Sequence, residues 1–220
     1  MKFIKMICVA LFIFSMVACS GTENHTIEMT KPKTVDIEKA LTAGVFTAVK
    51  DSSAIYVKTI KDGKVPVKGS LNLSKGSVFL KNTKGPSVVL DLDLTSWNSG
   101  LLKRDTRVTQ VFFNIDSKPL VQFKVESLPQ DKIQEFIKTK KLANLVLTGS
   151  IHWQGKEVKV PVDLNLSLTK YNRILVETNK PIVVKISDLG LDGVLKRLID
   201  VCGHKSVDDA VELTVHLELE

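Results

Sequence analysis

The stretch that decides the fold runs from Pro86 to Val125. It opens Ser87-Val88-Val89-Leu90-Asp91-Leu92-Asp93-Leu94-Thr95-Ser96, continues Trp97-Asn98-Ser99-Gly100-Leu101-Leu102-Lys103-Arg104-Asp105, and closes Val111-Phe112-Phe113 … Pro119-Leu120-Val121-Gln122-Phe123-Lys124-Val125. Val88, Leu90, Leu92 and Leu94 alternate with Asp91, Asp93 and Thr95. A period of two puts them on opposite faces of a half-buried strand. Asn98, Ser99 and Gly100 end it. A second alternating strand, Val121/Phe123/Val125, begins after Pro119. The connection between them is long and carries both charge and aromatic side chains. Connections of that length are usually functional or disordered, and this one is too apolar for disorder.

Working outward, the period of two holds from Ala54 to the C-terminus. Strands are expected at Ala54–Ile60, Val65–Leu73, Ser77–Lys81, Val88–Thr95, Leu120–Ser127, Asn144–Gln154, Glu157–Leu168, Arg173–Ile186 and Asp209–Glu218. The hinges carry turn residues: Asp62-Gly63, Lys75-Gly76, Lys84-Gly85-Pro86, Gln154-Gly155 and Tyr171-Asn172. Pro181 divides the segment from Arg173 to Ile186 or confines it to an edge. Apolar stripes predict helices at Gln130–Lys141 and Leu191–Cys202, the latter with Asp188 as a cap and Gly203 as a stop. A further short helix is expected between Thr34 and Val49. Evenly spaced hairpins with few helices describe an all-β antiparallel meander. Closing its edges gives a barrel of about eight strands, which encloses room for side chains and one small ligand.

Ser96, Gly100, Arg104-Asp105, Phe112-Phe113, Pro119 and Phe123 occur in an order that resembles the YceI-like family. Val67-Lys68-Gly69-Ser70-Leu71 resembles its early Gly-bearing strand. Leu147-Thr148-Gly149-Ser150-Ile151-His152-Trp153-Gln154-Gly155 resembles its later hairpin. The resemblance implies an eight-stranded lipocalin-like barrel with one or two short helices, occupying residues 36–220. It also implies a long isoprenoid lipid as ligand, a quinone or polyprenyl phosphate for example, with no catalytic cofactor. The ligand-lining set expected on the inward faces and the long connection is Val67, Leu71, Leu90, Leu92, Arg104, Phe112, Phe113, Phe123, Leu147, Ile151, Val162 and Leu164. Gly69 and Gly149 lie on the same faces and are expected to leave room for the ligand. Val158 to Leu168 alternate over about eleven residues, roughly 36 Å of strand, or roughly 28 Å along the axis at a tilt of about 40°. Four positions depart from the family pattern: Arg107 stands near where His is frequent, Lys118 where Tyr is usual, Leu71 replaces an aromatic, and Thr59-Ile60-Lys61-Asp62 lacks a His common near the end of the first strand.

The first nineteen residues read as an export signal. Lys2 and Lys5 precede an apolar run from Met6 to Met16 that is too short to span a bilayer. Met16-Val17-Ala18-Cys19 resembles a bacterial lipobox. It implies a signal peptide over 1–18, lipidation of Cys19, and a polar tether over 19–35. Several acyl chains hold a protein where one alone is marginal. Ser20 is not the Asp that marks inner-membrane retention. The expected location is therefore the bacterial cell envelope, anchored in the outer membrane and facing the periplasm. Loss of Lys2 and Lys5 lowers the formal charge from +7 to +5. The lysines are scattered, which disfavours nucleic acid and leaves an anionic lipid surface as the better electrostatic partner. After processing, Cys202 has no partner for an internal disulfide, and its place on an apolar helix face reads as a small buried hydrophobe.

Chemistry of other kinds is sparse. The four histidines (His25, His152, His204 and His216) show no metal-ligand spacing. Asp91 and Asp93 share a face but oppose the leucines, so they read as a solvated outer face rather than a catalytic pair. No nucleophile elbow, phosphate-binding Gly loop or zincin motif occurs. Arg104 and Asp105 are the best polar candidates. They read either as an ion pair ordering the connection or, for Arg104, as a contact to a phosphate head group. The expected protein is non-catalytic. It is either a lipid carrier or a structural or interaction lipoprotein whose barrel is filled by its own side chains.

Overall fold

The computed structural model describes residues 34–81, 87–117 and 120–220. The signal peptide, the lipidated Cys19, most of the tether, the Lys84-Gly85-Pro86 hinge, Lys118 and Pro119 lie outside the described residues.

Among the described residues ten strands run in chain order: β1 (Val45–Thr47), β2 (Ala54–Lys61), β3 (Val65–Phe79), β4 (Ser87–Asn98), β5 (Leu120–Val125), β6 (Leu142–Trp153), β7 (Lys156–Leu168), β8 (Ile174–Thr178), β9 (Ile182–Lys185) and β10 (Ala210–Leu219). Eight of them close a ring in the order β3-β2-β10-β8-β7-β6-β5-β4, and β4 pairs back onto β3. Every pairing is antiparallel. The fold is therefore a closed eight-stranded antiparallel barrel, with β1 added beside β3 and β9 beside β10.

The turn chemistry places the hairpins. Asp62 and Gly63 both take positive φ between β2 and β3, as do Gln154 and Gly155 between β6 and β7, the conformation that two-residue hairpins require. Pro181 separates β8 from β9. Pro161 lies within β7, where the ladder to β8 begins only at Leu164, so its missing N–H sits beside a stretch with no β8 partner.

Among the described residues four α-helices accompany the barrel, where the resemblance implies one or two and the sequence pattern three: α1 (Ile37–Ala43), α2 (Leu102–Arg107), α3 (Gln130–Thr139) and α4 (Asp192–Cys202). The addition is α2, which continues directly into a π-helical turn at Val108–Phe113. This stretch lacks an apolar helical stripe and was legible only as a connection. Asp188 does not cap α4. It lies in a 3₁₀ turn, Ser187–Leu189, and Leu191 takes the cap position, while Gly203 ends the helix with φ 70°.

The Lys75-Gly76 hinge is absent. β3 runs through it as one strand of 15 residues. Gly76 is there for close approach: a Cβ would lie 2.6 Å from that of Ala48, just past β1, and 3.1 Å from a Leu90 methyl.

The two barrel ends are closed differently. At the lower end, β1 lies between the last residues of β3 and β10, with Phe46 opposite Val78 and Ala48 bridged to Leu219. Buried Ile37 and Leu41 of α1 and Phe136 of α3 add to the core there. At the upper end, α2, the π-helical turn and α4 span the gap, and α4 packs on the π-helical turn.

Candidate functional site

Inward-facing side chains of all eight ring strands leave a cavity of about 640 Å³ that reaches from the upper rim to the lower helices. That volume suits a ligand of drug size or larger. The barrel is thus not filled by its own leucines and valines. The structure brings all twelve sequence-nominated positions onto this one wall: Val67, Leu71, Leu90, Leu92, Arg104, Phe112, Phe113, Phe123, Leu147, Ile151, Val162 and Leu164. They come from five strands, β3 to β7, and the α2–π-helix connection, so alternation alone delivers aliphatic side chains to a common interior.

Gly69 and Gly149 do face inward, but they do not leave the room expected of them. A Cβ on Gly149 would overlap the Phe123 ring, and one on Gly69 would overlap the Trp97 ring. Each glycine lets a neighbouring aromatic side chain lie against the wall. The space the sequence assigned to ligand is taken by Phe123 and Trp97.

The upper end of the cavity is aromatic. Phe113 packs edge-on to Trp97 at 6.0 Å and to Trp153 at 5.9 Å, and Phe112 lies 5.5 Å from Phe113 and 6.0 Å from Trp153. Both tryptophans were missed as wall residues. Trp153 continues the Leu147/Ile151 alternation and could have been found. Trp97 could not, because β4 slips register against β3 between the pairs Asn72/Asp93 and Ser70/Asn98. The Ser96 hydroxyl stabilises that slip by accepting from the Asn72 N–H at 2.8 Å and donating to the Asp93 carbonyl. The bulge turns Trp97 inward three residues after Leu94.

Polar groups on the wall are few and of one sign. Lys61, Lys103, Arg104, Arg107 and Lys132 line it together with His204 and Thr59, and no Asp or Glu among the described residues does. Lys132 belongs to the lower end, where Glu135 holds it at 2.8 Å. The others gather at the upper rim.

Arg104 and Asp105 do not pair. Asp105 instead accepts from the Ser99 N–H at 2.9 Å and from the Ser99 hydroxyl. It thereby orders the start of the connection and leaves Arg104 without a carboxylate partner among the described residues. Asp91 faces outward and accepts from the Gln122 side chain at 2.7 Å, so it lies on the solvated face expected of it. Cys202 is half-buried and also lines the cavity.

Two carboxylates fasten the α4 cover. Asp62 accepts from the N–H groups of Lys205, at 2.7 Å, and Ser206. These bonds, the one from Lys205 foremost, hold its carboxyl below the ordinary value. Asp209 is lowered in the same way, first by the Ser187 hydroxyl and then by the Ser187 N–H. Hydrogen bonds to the charged form favour it. A depressed carboxyl contributes stability above its unfolded value and loses it as pH falls through the folded one. Acidification below the ordinary carboxylate range should therefore free α4 while the barrel persists. Hydrogen exchange checks this: the Ser187 and Lys205 amides should lose protection before those of β6. Simultaneous loss in both regions would contradict it.

The YceI-like domain family matches residues 46–219, a span that includes the whole ring of strands and the cavity they enclose. No curated protein matches the chain. Among solved structures, a polyisoprenoid binding domain from Saccharophagus degradans superposes with a TM-score of 0.65 at 16% identity, over 80% of this chain and 97% of that one. BcnA of Burkholderia cenocepacia superposes at 0.54, again with 16% identity, over 78% of this chain and 98% of its own. With the closed barrel, its four helices and a family match over most of its length, the chain belongs to the YceI-like family.

Proposed function

We propose that the protein is a non-catalytic carrier that holds a long isoprenoid-type lipid inside the barrel. The observation that carries this reading is the cavity itself. It is about 640 Å³, walled by aliphatic and aromatic side chains, lined by no carboxylate among the described residues, and bordered at one end by Lys61, Lys103, Arg104 and Arg107, none of which has an ion-pair partner among those residues. Burying an isoprenoid tail gains about 0.8 kcal/mol per CH₂, offset in part by the cost of ordering it. The polyisoprenoid binding domain among the structural neighbours supports the same ligand class. In this reading the tail lies along the axis, and the head group rests at the upper rim near Arg104.

The test is a titration of lipid-stripped protein with a polyprenyl phosphate and with the matching uncharged polyprenol. Both should bind. Arg104→Ala should weaken the phosphate by about 2 kcal/mol, as expected for a charge-assisted hydrogen bond, and leave the alcohol nearly unchanged. Failure of both lipids to bind the parent protein would reject the carrier reading. Equal losses for the two would move the head group elsewhere.

The Met16-Val17-Ala18-Cys19 run supports a second part of the proposal: export, lipidation of Cys19, and residence at the periplasmic face of the outer membrane. Cys19→Ala should shift the protein from the membrane to the soluble fraction. Retention on membranes washed free of peripheral proteins would refute the anchor.

A further inference from the structure

The upper rim carries a feature that cargo binding alone does not require. Leu101 and Leu102, adjacent in sequence, are 56% and 84% exposed, yet both line the cavity at its upper end. Leu101 precedes α2 and Leu102 opens it. Lys103 beside them is exposed, and Arg104 and Arg107 are half-buried. None of the three has an ion-pair partner among the described residues. Asp105, the acid of this helix, is engaged by Ser99. An apolar tip ringed by unpaired basic groups is the pattern of a segment that seats in a membrane interface, leucines among the acyl chains and cations at the phosphates.

The position of the tip adds a mechanical reason. A long lipid crossing water would expose its whole tail, at about fourfold in probability per CH₂. A rim that touches the bilayer lets the tail pass directly between membrane and barrel. We infer that the Leu101–Arg107 rim is a docking surface for an anionic phospholipid bilayer and the doorway through which cargo enters and leaves the cavity. The cargo half of this inference rests on the carrier reading above; the docking half does not.

The experiment uses the chain with Cys19→Ala, so that the proposed acyl anchor does not set the affinity, on vesicles of phosphatidylglycerol and phosphatidylcholine whose acyl chains are brominated, which quench nearby tryptophan. Leu102→Trp places a reporter on the rim. Val146→Trp places one on the outer barrel wall, where the native side chain is 64% exposed. The parent, with Trp97 and Trp153 buried at the upper end of the cavity, supplies the background.

Quenching above that background should be at least about threefold stronger for the Leu102→Trp protein than for the Val146→Trp protein. Lys103→Gln in the Leu102→Trp background should lower vesicle affinity by about fivefold, the worth of one basic residue at an anionic surface. Equal quenching at the two positions, or none at the rim, would overturn the docking surface. The parent signal separates the two halves. In a second set of vesicles, unbrominated apart from a small share of brominated polyprenyl phosphate, quenching of Trp97 and Trp153 in the parent reports cargo taken into the cavity. Rim quenching without it leaves docking standing and removes the cargo route. Parent quenching without a rim signal does the reverse.

Discussion

Phe46→Ala should lower the free energy of unfolding by about 3–5 kcal/mol, the range for removing a fully buried aromatic ring. Phe46 is 0% exposed and is the largest fully buried side chain of the described residues. It stands in β1, a strand of three residues that pairs with the end of β3, opposite Val78, and on its other side is held mainly by the two backbone bonds that Thr47 exchanges with Glu220. Few ladder bonds hold such a strand, so its ring must supply most of its attachment. The ring also lines the cavity at the lower end, where its loss would join the space it vacates to one already present. The neighbours then cannot collapse to recover contacts, which places the cost high in the range. A small domain has only about 5–15 kcal/mol in total, so the variant should be visibly compromised. Urea unfolding checks this, with Phe46→Leu as the milder comparison. A loss under about 1 kcal/mol would show that β1 does not close the floor of the barrel.

Gly149→Leu should destabilise the protein by about 3 kcal/mol or more, the upper end of the cost of overpacking. Even a methyl group there would overlap the Phe123 ring, and the Lys124 carbonyl 3.3 Å from the same point blocks an alternative path. Phe123 lies opposite Ile151 in the β5–β6 ladder, so its ring must swing into the cavity or the two strands must part. The cause can be isolated. Phe123→Leu alone should cost about 1 kcal/mol, but in the Gly149→Leu background it should recover most of the loss. Contacting residues show coupling of this kind, commonly about 0.5–3 kcal/mol. Strict additivity in thermal or urea unfolding would mean that the glycine serves strand curvature rather than the ring.

The same pair of residues shows where the sequence could be read and where it could not. Alternation in β4, β5, β6 and β7 is strong because each strand has one apolar and one polar face. It marks Leu90, Phe123, Leu147 and Val162 as inward without any tertiary information. Asp62-Gly63 and Gln154-Gly155 mark hairpins because positive φ at those positions has a narrow chemistry. An inward glycine carries no such information. Whether it leaves a space or receives a ring depends on Phe123 or Trp97, which reach it from neighbouring strands.

Lys75-Gly76 misled for a related reason. A turn and a close approach between β3 and the segment after β1 both demand glycine. The α2 helix was hidden because its six residues, Leu102–Arg107, are too few to carry an apolar stripe, and the bond from Ser99 to Asp105 that ties down its start has no periodicity. Arg104 was legible as the notable charge of the connection. Its freedom from Asp105 was not, since adjacent opposite charges suggest a pair and only the fold shows the acid engaged elsewhere.

The most direct test of the carrier account is mass spectrometry of an organic extract from protein purified from its native source without detergent exchange. The account predicts one recurrent long isoprenoid lipid, near one molecule per chain, that disappears when the cavity is filled by Leu147→Trp in protein that still folds. An extract containing only the ordinary phospholipids of the membrane, or no lipid at all, would contradict it.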